Sequence, residues 1–351
     1  MSENGVSETG LAPRPAAPHI PVLAFFSHRG GVGTTTLVYH LAWILAELDF
    51  QVLAVDLDPQ ANLSSAFLDD RRLEQIWDDE AQRETVWGGI QPLKDGIGDI
   101  RLPTAEPIRE GLSLLVGDLA LSRFEDDLAQ EWPRCKDGQE RSFRITSAFW
   151  RVAQGAGEQT QAQVILLDLG PNLGAINRAA LLSADYLITP LAPDLFSLQG
   201  LRSLGPTLQE WKQDWEKRLL EARERNVAVR LPGGQLSPLG FVVMQHVERR
   251  DRPIESNQRW MERIPDQYRR VMPATKTGIT DLLGAVPNFR SLMSMAQEAR
   301  KPMFLLRPSD GAVGSHARAA QRAGDVFREL AQEIMRRMGL PDAPPSRDLS
   351  S

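Results

Sequence analysis

Residues 27–36 have the composition of a phosphate-binding turn. They read Ser-His-Arg-Gly-Gly-Val-Gly-Thr-Thr-Thr and lie between an apolar run that predicts a strand, 22–26, and a pattern that predicts a helix, 37–48. A glycine-rich turn that leads from a strand into a helix gathers backbone N–H groups at the positive end of the helix dipole, where a phosphate group binds. A P-loop also carries a lysine directly before its Ser/Thr pair, and Thr34 occupies that position here.

Each small residue of this turn has a chemical reason to be there. Gly30, Gly31 and Gly33 allow the backbone to approach phosphates without a Cβ in the way. Thr35 stands where a P-loop hydroxyl binds Mg²⁺. The alternative is a tight turn without a ligand, which is rich in glycine for conformational reasons alone.

Three aspartates follow two further apolar runs. Asp56 and Asp58 come after 52–55, and Asp168 comes after 164–167. Asp58 could orient an attacking water or hold Mg²⁺ through water, and Asp56 could fix the threonines or the metal. Asp168 has the Walker B position, where a carboxylate supports Mg²⁺. Each of them alone could instead cap a turn or a helix, but their order along the chain favours one shared site.

The elements that must position these residues are predicted from the same kind of pattern. Further strands are predicted at 112–116, 186–190 and 239–244, with helical patterns between the strands. Such alternation indicates an α/β fold, a doubly wound and mostly parallel sheet with helices on both faces. Ligands of such sheets lie at the carboxyl ends of the strands, where the glycine-rich turn and the aspartates all stand.

Composition limits the classes of protein and partner. With 351 residues, 42% hydrophobic content and a net charge of −6, the chain suits one large α/β domain or two small ones and is not a bulk polycation. We expect flexible tails at 1–20 and 341–351 and a nucleotide-binding domain at 21–340, with an elaborated insertion at about 70–160. The single Cys135 excludes an intramolecular disulfide, and no run reaches the ~18 apolar residues of a membrane helix. We therefore expect a cytoplasmic protein without a membrane partner.

Together these motifs resemble the ParA/MinD family of deviant-Walker ATPases, and its partition ParA branch in particular. The family's Lys-Gly-Gly-Val-Gly-Lys-Thr-Thr corresponds to residues 29–36, and its Asp-x-Asp-Pro-Gln-x-Asn stands intact at 56–62. The family's Walker B segment is similar to residues 167–174, and its late segment beside the adenine is similar to 287–290. The resemblance covers residues 20–338 in broad outline.

The resemblance implies a ParA/SIMIBI-like P-loop NTPase fold that binds ATP and Mg²⁺ and forms a homodimer. The residues it assigns to the nucleotide are Gly30, Gly31, Val32, Gly33, Thr34, Thr35, Thr36 and Pro287. It assigns Mg²⁺ to Thr35, Asp56 and Asp168, and catalysis to Asp58 and Arg29. Gln245, near the end of a late strand, is a further candidate contact to the base. An activating ParB-like protein and nonspecific DNA are the other partners that the family implies.

Two departures from the family pattern bear on activity. The family's signature lysine, which reaches the partner's phosphates across the dimer, is Arg29 here, and arginine keeps the charge. The P-loop lysine is replaced by Thr34, and a lost buried phosphate contact typically costs ~2–5 kcal/mol. Either other groups compensate for this loss, or hydrolysis is slow or absent.

Three hypotheses about function follow. The leading one is a ParA-like ATPase whose Mg-ATP-dependent dimerisation controls DNA or partner-protein binding. The alternative is a catalytically weak or inactive pseudo-ATPase that binds nucleotide and acts as a scaffold. The third is a dinucleotide-dependent oxidoreductase, since Gly31, Gly33 and Asp56 imitate part of a Rossmann fingerprint, although Thr36 stands in place of the third glycine.

The C-terminal part of the chain is the candidate DNA contact. Its candidate basic residues are Arg290, Arg300, Lys301, Arg307, Arg318, Arg322, Arg328, Arg336 and Arg337. They would bind DNA phosphates with a strong dependence on salt. The alternative is an ordinary solvated face, because acidic residues such as Glu298, Asp325 and Glu329 lie among them. The apolar stripe of the last predicted helix favours packing in the core over contact with lipid.

Overall fold

Strands and helices alternate along the part of the chain that the computed structural model describes, residues 19–79, 82–246, 248–249, 252–253, 255–272 and 281–340. The strands are β1 Val22–Phe25, β2 Val52–Asp56, β3 Glu106–Arg109, β4 Leu112–Leu115, β5 Val164–Asp168, β6 Tyr186–Leu191, β7 Ser237–His246, β8 Glu248–Arg249, β9 Arg252–Pro253 and β10 Leu282–Pro287. The α-helices are α1 Thr34–Glu47, α2 Asn62–Phe67, α3 Asp70–Asp78, α4 Val86–Lys94, α5 Glu125–Arg134, α6 Glu140–Thr146, α7 Ala148–Gln159, α8 Ala175–Leu182, α9 Leu195–Glu224, α10 Glu255–Val271, α11 Ser291–Ala299 and α12 Ser315–Met338. The predicted flexible tails lie outside these residues, apart from His19 and Ile20.

Eight of the described strands form one sheet in the order β10-β7-β6-β1-β5-β2-β4-β3. Its neighbouring strands are parallel except at the edge, where β3 pairs antiparallel with β4. The six strands predicted from the sequence are confirmed, whereas β3 and β10 were not predicted. Both are short segments that contain proline, and a proline weakens the sequence signal of a strand because it cannot donate to the ladder.

Alternate side chains of each central strand enter two separate cores. On β1, Val22 and Ala24 pack in one core, and Leu23 and Phe25 pack in the other. Helices α4, α7, α8 and α9 contribute to the first core, and α1, α11 and α12 contribute to the second. Because β1, β2 and β5 are buried along their whole length, their sequences are continuous apolar runs, except for the aspartates that end β2 and β5. The predicted doubly wound sheet with helices on both faces is confirmed.

The last helix packs as the sequence predicted. Phe327, Leu330 and Ile334 of α12 are buried in the second core, so the apolar stripe of α12 is an internal face. Across the described residues, no helix has both the length and the apolar content needed to cross a bilayer. Residues 70–160 supply helices α3–α7 and strands β3 and β4, and they therefore extend both the sheet and the first core.

Candidate functional site

The glycine-rich turn joins β1 directly to the N-terminus of α1. Gly33 caps α1 with a φ of 103°, a left-handed conformation that favours glycine. No described side chain caps this helix end, and the first turn of α1 contains no acidic residue. The positive end of the helix dipole is therefore left for an external anion.

A cavity of about 570 Å³ opens on this turn. Its walls are Arg29, Gly30, Gly31, Gly33, Thr34, Thr35, Thr36, Tyr39, His40, Asp58, Gln60, Asn62, Ser65, Ala66, Leu169, Pro171, Met293, Ala296, Gln297 and Lys301. The fold thus brings most of the residues predicted for the phosphates to one place, together with Asp58. A volume of this size is in the range of small-molecule and cofactor sites.

Three of the predicted nucleotide contacts lie elsewhere or cannot be described. Val32 is 2% exposed and packs in the second core, so it supports the turn from below. Pro287 ends β10 and is not a wall of the cavity. Gln245 belongs to β7, but its side chain lies outside the described residues. The sequence did not anticipate the wall that α11 and Lys301 provide.

Asp56 and Asp168 lie side by side beneath the phosphate turn. They are register partners in the parallel pair of β2 and β5, and both are completely buried. Burial raises the pKa of Asp56 to about 7, although the backbone N–H and the hydroxyl of Ser64 both donate to its Oδ2 at 2.8 Å. Burial and the neighbouring Asp56 carboxylate raise the pKa of Asp168 well above its usual range. The side chain of Thr35 interacts with this carboxylate and lowers the pKa only in part.

These buried carboxylates fit a nearby cation. Within the described residues, neither carboxylate oxygen of Asp168 has a well-formed hydrogen bond, and a buried carboxylate without a partner is costly. In the same part of the chain, no group of three or more His, Cys, Asp and Glu side chains is arranged to hold a metal directly. Mg²⁺ usually retains several waters and uses one or two protein groups. The donor set therefore suits an Mg²⁺ bound by the Thr35 hydroxyl and supported by Asp168 through water.

Asp58 reaches the cavity from the turn after β2. The Asp58 N–H donates to Oδ1 of Asp56 at 3.2 Å, and Oδ1 of Asp58 accepts from the N–H of Gln60 at 3.0 Å. A Cβ at position 170 would lie 3.1 Å from the same oxygen, so Gly170 leaves room for the carboxylate. Asp58 is therefore a fixed acceptor at the wall of the cavity, as a group that orients water must be.

Arg29 is held at the mouth of the cavity by the start of α9. Its guanidinium pairs with Asp194, which also caps α9 by accepting from the N–H of Ser197 at 2.9 Å. The guanidinium carbon lies 5.6 Å from the centre of the Phe196 ring. Phe196 is 69% exposed, so this apolar ring faces solvent beside Arg29, which lines the cavity.

His40 links α1 to the chain that follows α11. Its Nδ1 lies 2.7 Å from the carbonyl oxygen of Thr36, and the N–H of Met303 lies 3.1 Å from its Nε2. Because a carbonyl only accepts and an N–H only donates, the imidazole is neutral with its proton on Nδ1. Burial lowers the pKa of His40 to about 4 and keeps it neutral at pH 7.

This histidine should make stability dependent on pH. Its pKa is lower in the folded protein than the ordinary 6.5, so the unfolded chain binds the extra proton first as the pH falls. The contribution of neutral His40 to the free energy of unfolding is complete above pH 6.5 and is lost toward pH 4. Between pH 7 and pH 5 the loss is about 2 kcal/mol. Chemical denaturation at the two pH values measures it. The His40→Gln variant should have a smaller loss by that amount, and an equal loss in both proteins would contradict the assignment.

Comparison with known proteins agrees with this geometry. A family model described as an AAA domain matches residues 20–221, which is more than half of the chain. The chromosome partitioning protein ParA of Caulobacter vibrioides is 30% identical over 206 residues, which cover 58% of this chain and 68% of that protein. The chain spans about half the length of the first curated relatives that it matches, 47% and 52% for two of them.

Solved structures share the fold over nearly the whole chain. A Cyanothece McdA–ATP complex has a TM-score of 0.60 at 15% identity and covers 92% of this chain and 98% of that one. The septum site-determining protein MinD of Pyrococcus horikoshii, complexed with Mg-ADP, has a TM-score of 0.53 at 19% identity and covers 92% of this chain and 98% of that one. At this level of identity the likeness concerns the fold alone.

Proposed function

Since the chain belongs to the ParA/MinD family of P-loop ATPases, whose AAA domain it matches over residues 20–221, we propose that it is an ATP-driven molecular switch. Mg-ATP in the cavity favours pairing of two copies, and the pair binds DNA or a partner protein. Relatives named for chromosome partitioning and septum placement support a role in positioning DNA or another cargo, with a ParB-like activator as a candidate partner.

One observation carries this proposal. The N-terminus of α1, the Thr35 hydroxyl and the Asp58 carboxylate face a single cavity, and Asp168 is buried beneath it. The turn would bind the phosphates, Thr35 and Asp168 would hold Mg²⁺, and Asp58 would accept a hydrogen bond from the attacking water. Mg²⁺ would neutralise phosphate charge that develops during the transfer.

Two features beside the cavity support pairing with a second copy. Leu195 and Phe196 are 47% and 69% exposed at the start of α9, next to Arg29. An exposed apolar pair at the mouth of a ligand site is suited to burial against another protein surface. Arg29 would leave Asp194 and reach the phosphates bound to the partner subunit, where the planar guanidinium can bind two oxygens at once.

The alternative is a nucleotide-binding scaffold without significant hydrolysis. The observation in its favour is Thr34, which leaves the phosphates without the usual P-loop lysine. The ordered set of Asp56, Asp58 and Asp168 at the carboxyl ends of β2 and β5 favours hydrolysis instead.

We propose that DNA binds between α9 and α10. Arg202, Arg263 and Arg270 line a groove of about 190 Å³ there, and none of the three has a carboxylate partner among the described residues. Arg259 and Arg263 also lie 4.8 and 5.1 Å from the centre of the Trp260 rings. By contrast, several cations of the C-terminal part are already paired, including Arg300 with Asp70 and Arg336 with Glu333.

Charge-reversal variants distinguish the groove between α9 and α10 from the C-terminal part as the DNA-binding surface. We expect the double variant Arg263→Glu and Arg270→Glu to weaken DNA binding at least ~10-fold and to lower the salt slope by about 2, because two phosphate contacts are lost. The matched control is the double variant Arg318→Glu and Arg322→Glu on α12, which should bind like the parent protein. Light scattering with and without Mg-ATP on the same samples reports pairing.

The outcomes of this experiment are distinct. Weaker DNA binding in the α12 variant alone would place the DNA-binding surface in the C-terminal part, as the sequence predicted. Parent protein that neither pairs with Mg-ATP nor binds DNA would contradict the proposed switch.

A further inference from the structure

Among the described side chains that line the cavity, only Arg29 and Lys301 carry a permanent positive charge. The third candidate, His40, is neutral because burial lowers its pKa to about 4. Thr34 supplies no charge, although several negative phosphate oxygens must be neutralised in a P-loop. Arg29 lies at the mouth and pairs with Asp194, so Lys301 is the remaining cation of the cavity wall in the part of the chain that the structure describes.

A short series of hydrogen bonds ties the segment of Lys301 to the phosphate turn. Helix α11 ends at Ala299, and the left-handed Arg300 reverses the chain, so that the Lys301 N–H donates to the carbonyl of Ala296 at 3.1 Å. Two residues later, the Met303 N–H donates to His40, and His40 donates to the carbonyl of Thr36. The backbone that carries Lys301 is thereby fixed against the first turns of α1.

Lys301 is held by a carboxylate that is not itself a wall of the cavity. Its Nζ lies 2.8 and 2.9 Å from the two carboxylate oxygens of Asp310. Asp310 is oriented in turn by the Arg307 N–H, which donates to Oδ2 at 2.9 Å. The side chain of Lys301 is 41% exposed, so it has room to change partner. A lysine ammonium on its flexible stem can move to a more highly charged anion.

We propose that Lys301 replaces the missing P-loop lysine. Its ammonium group leaves Asp310 and binds a phosphate oxygen of a nucleoside di- or triphosphate in this cavity. The inference rests on the proposed function only in requiring that the cavity binds such a nucleotide. The competing interpretation is that Lys301 and Asp310 merely clamp the 300–310 segment.

Binding of ATP, ADP and adenosine, each measured with Mg²⁺ by calorimetry, tests the proposal. The Lys301→Ala variant should bind ATP and ADP at least ~10-fold more weakly and adenosine as the parent does, because a charge-assisted hydrogen bond to phosphate is lost. Lys217→Ala is the matched control, since Lys217 also lies near an aspartate, 3.8 Å from Asp214, in the second half of α9, and does not line the cavity. This control should bind all three ligands unchanged.

Two further variants guard against a misfolded Lys301→Ala protein. Asp310→Asn should release Lys301 and tighten ATP binding several-fold, whereas the clamp interpretation predicts weaker binding and a lower Tm. In a Thr34→Lys background, the loss caused by Lys301→Ala should shrink, since both lysines would neutralise the same phosphates.

Each result decides the matter. Equal weakening of ATP and adenosine, unchanged ATP binding in Lys301→Ala, or weaker ATP binding in Asp310→Asn would overturn the role of Lys301. If the parent protein binds ATP and a variant gives any of these results, the role of Lys301 falls but the proposed function stands. Parent protein that binds no nucleotide overturns both proposals.

Discussion

Replacing Asp58 by alanine is expected to remove ATP turnover while leaving nucleotide binding within about twofold. The carboxylate lies at the cavity wall and is held by the turn after β2, where it can orient the attacking water. Asp58 belongs neither to the glycine-rich turn nor to α1, so the groups that would bind the phosphates are unchanged in this variant. Loss of a positioned acid–base group typically lowers a rate by ~10²–10⁴-fold, and steady-state phosphate release measures this.

The control for this variant is Asp95→Ala. Asp95 is an exposed aspartate at the end of α4 that does not line the cavity, and its replacement should leave turnover unchanged. Unchanged turnover in Asp58→Ala would remove the role assigned to this residue. Loss of both binding and turnover would mean that Asp58 supports the turn itself.

Introducing lysine at Thr34 is expected to tighten ATP binding at least ~10-fold in a protein that also carries Lys301→Ala, because one charged phosphate contact is typically worth ~2 kcal/mol or more. The gain should be smaller in the parent, where Lys301 is proposed to neutralise the same phosphates. Thr34 is the first residue of α1 and a wall of the cavity, so the new ammonium group starts where a P-loop lysine starts. Equilibrium titration with ATP at fixed Mg²⁺ gives the ratio of the two Kd values.

The neutral variant Thr34→Gln separates charge from size. It should bind ATP no better than the parent protein, since its side chain is long but uncharged. If Thr34→Lys binds ATP more weakly than the parent, the turn has been rebuilt around threonine and no longer accepts a P-loop lysine. Strong binding by the parent together with little gain from lysine would point to a group that already compensates, such as Lys301.

The fold and the phosphate site could be predicted from the sequence because their signals are local. Buried parallel strands are continuous apolar runs, and the carboxyl ends of those runs carry Asp56, Asp58 and Asp168. The glycine turn stands between a strand and a helix, as its composition indicates. Strand β10 escaped prediction because Gly284 and Pro287 interrupt its apolar pattern.

The partners of the charged residues could not be predicted because they are far apart in the sequence. Asp194 holds Arg29 across 165 positions, and nothing in the sequence around either residue marks the pair. Lys301 is one of the nine candidate basic residues named for the C-terminal part, and only folding of the 300–310 segment against α1 brings it into the cavity. His40 could have been noticed as a polar residue within an apolar helical run, yet its partner Met303 is 263 positions away.

The most direct test of this account is to measure Mg-ATP binding and steady-state turnover on one purified sample, with Asp58→Ala beside it. We expect saturable binding in both proteins and turnover only in the parent. Binding without turnover in the parent would favour the nucleotide-binding scaffold. No binding of Mg-ATP in either protein would contradict the central claim that this cavity is a nucleotide site.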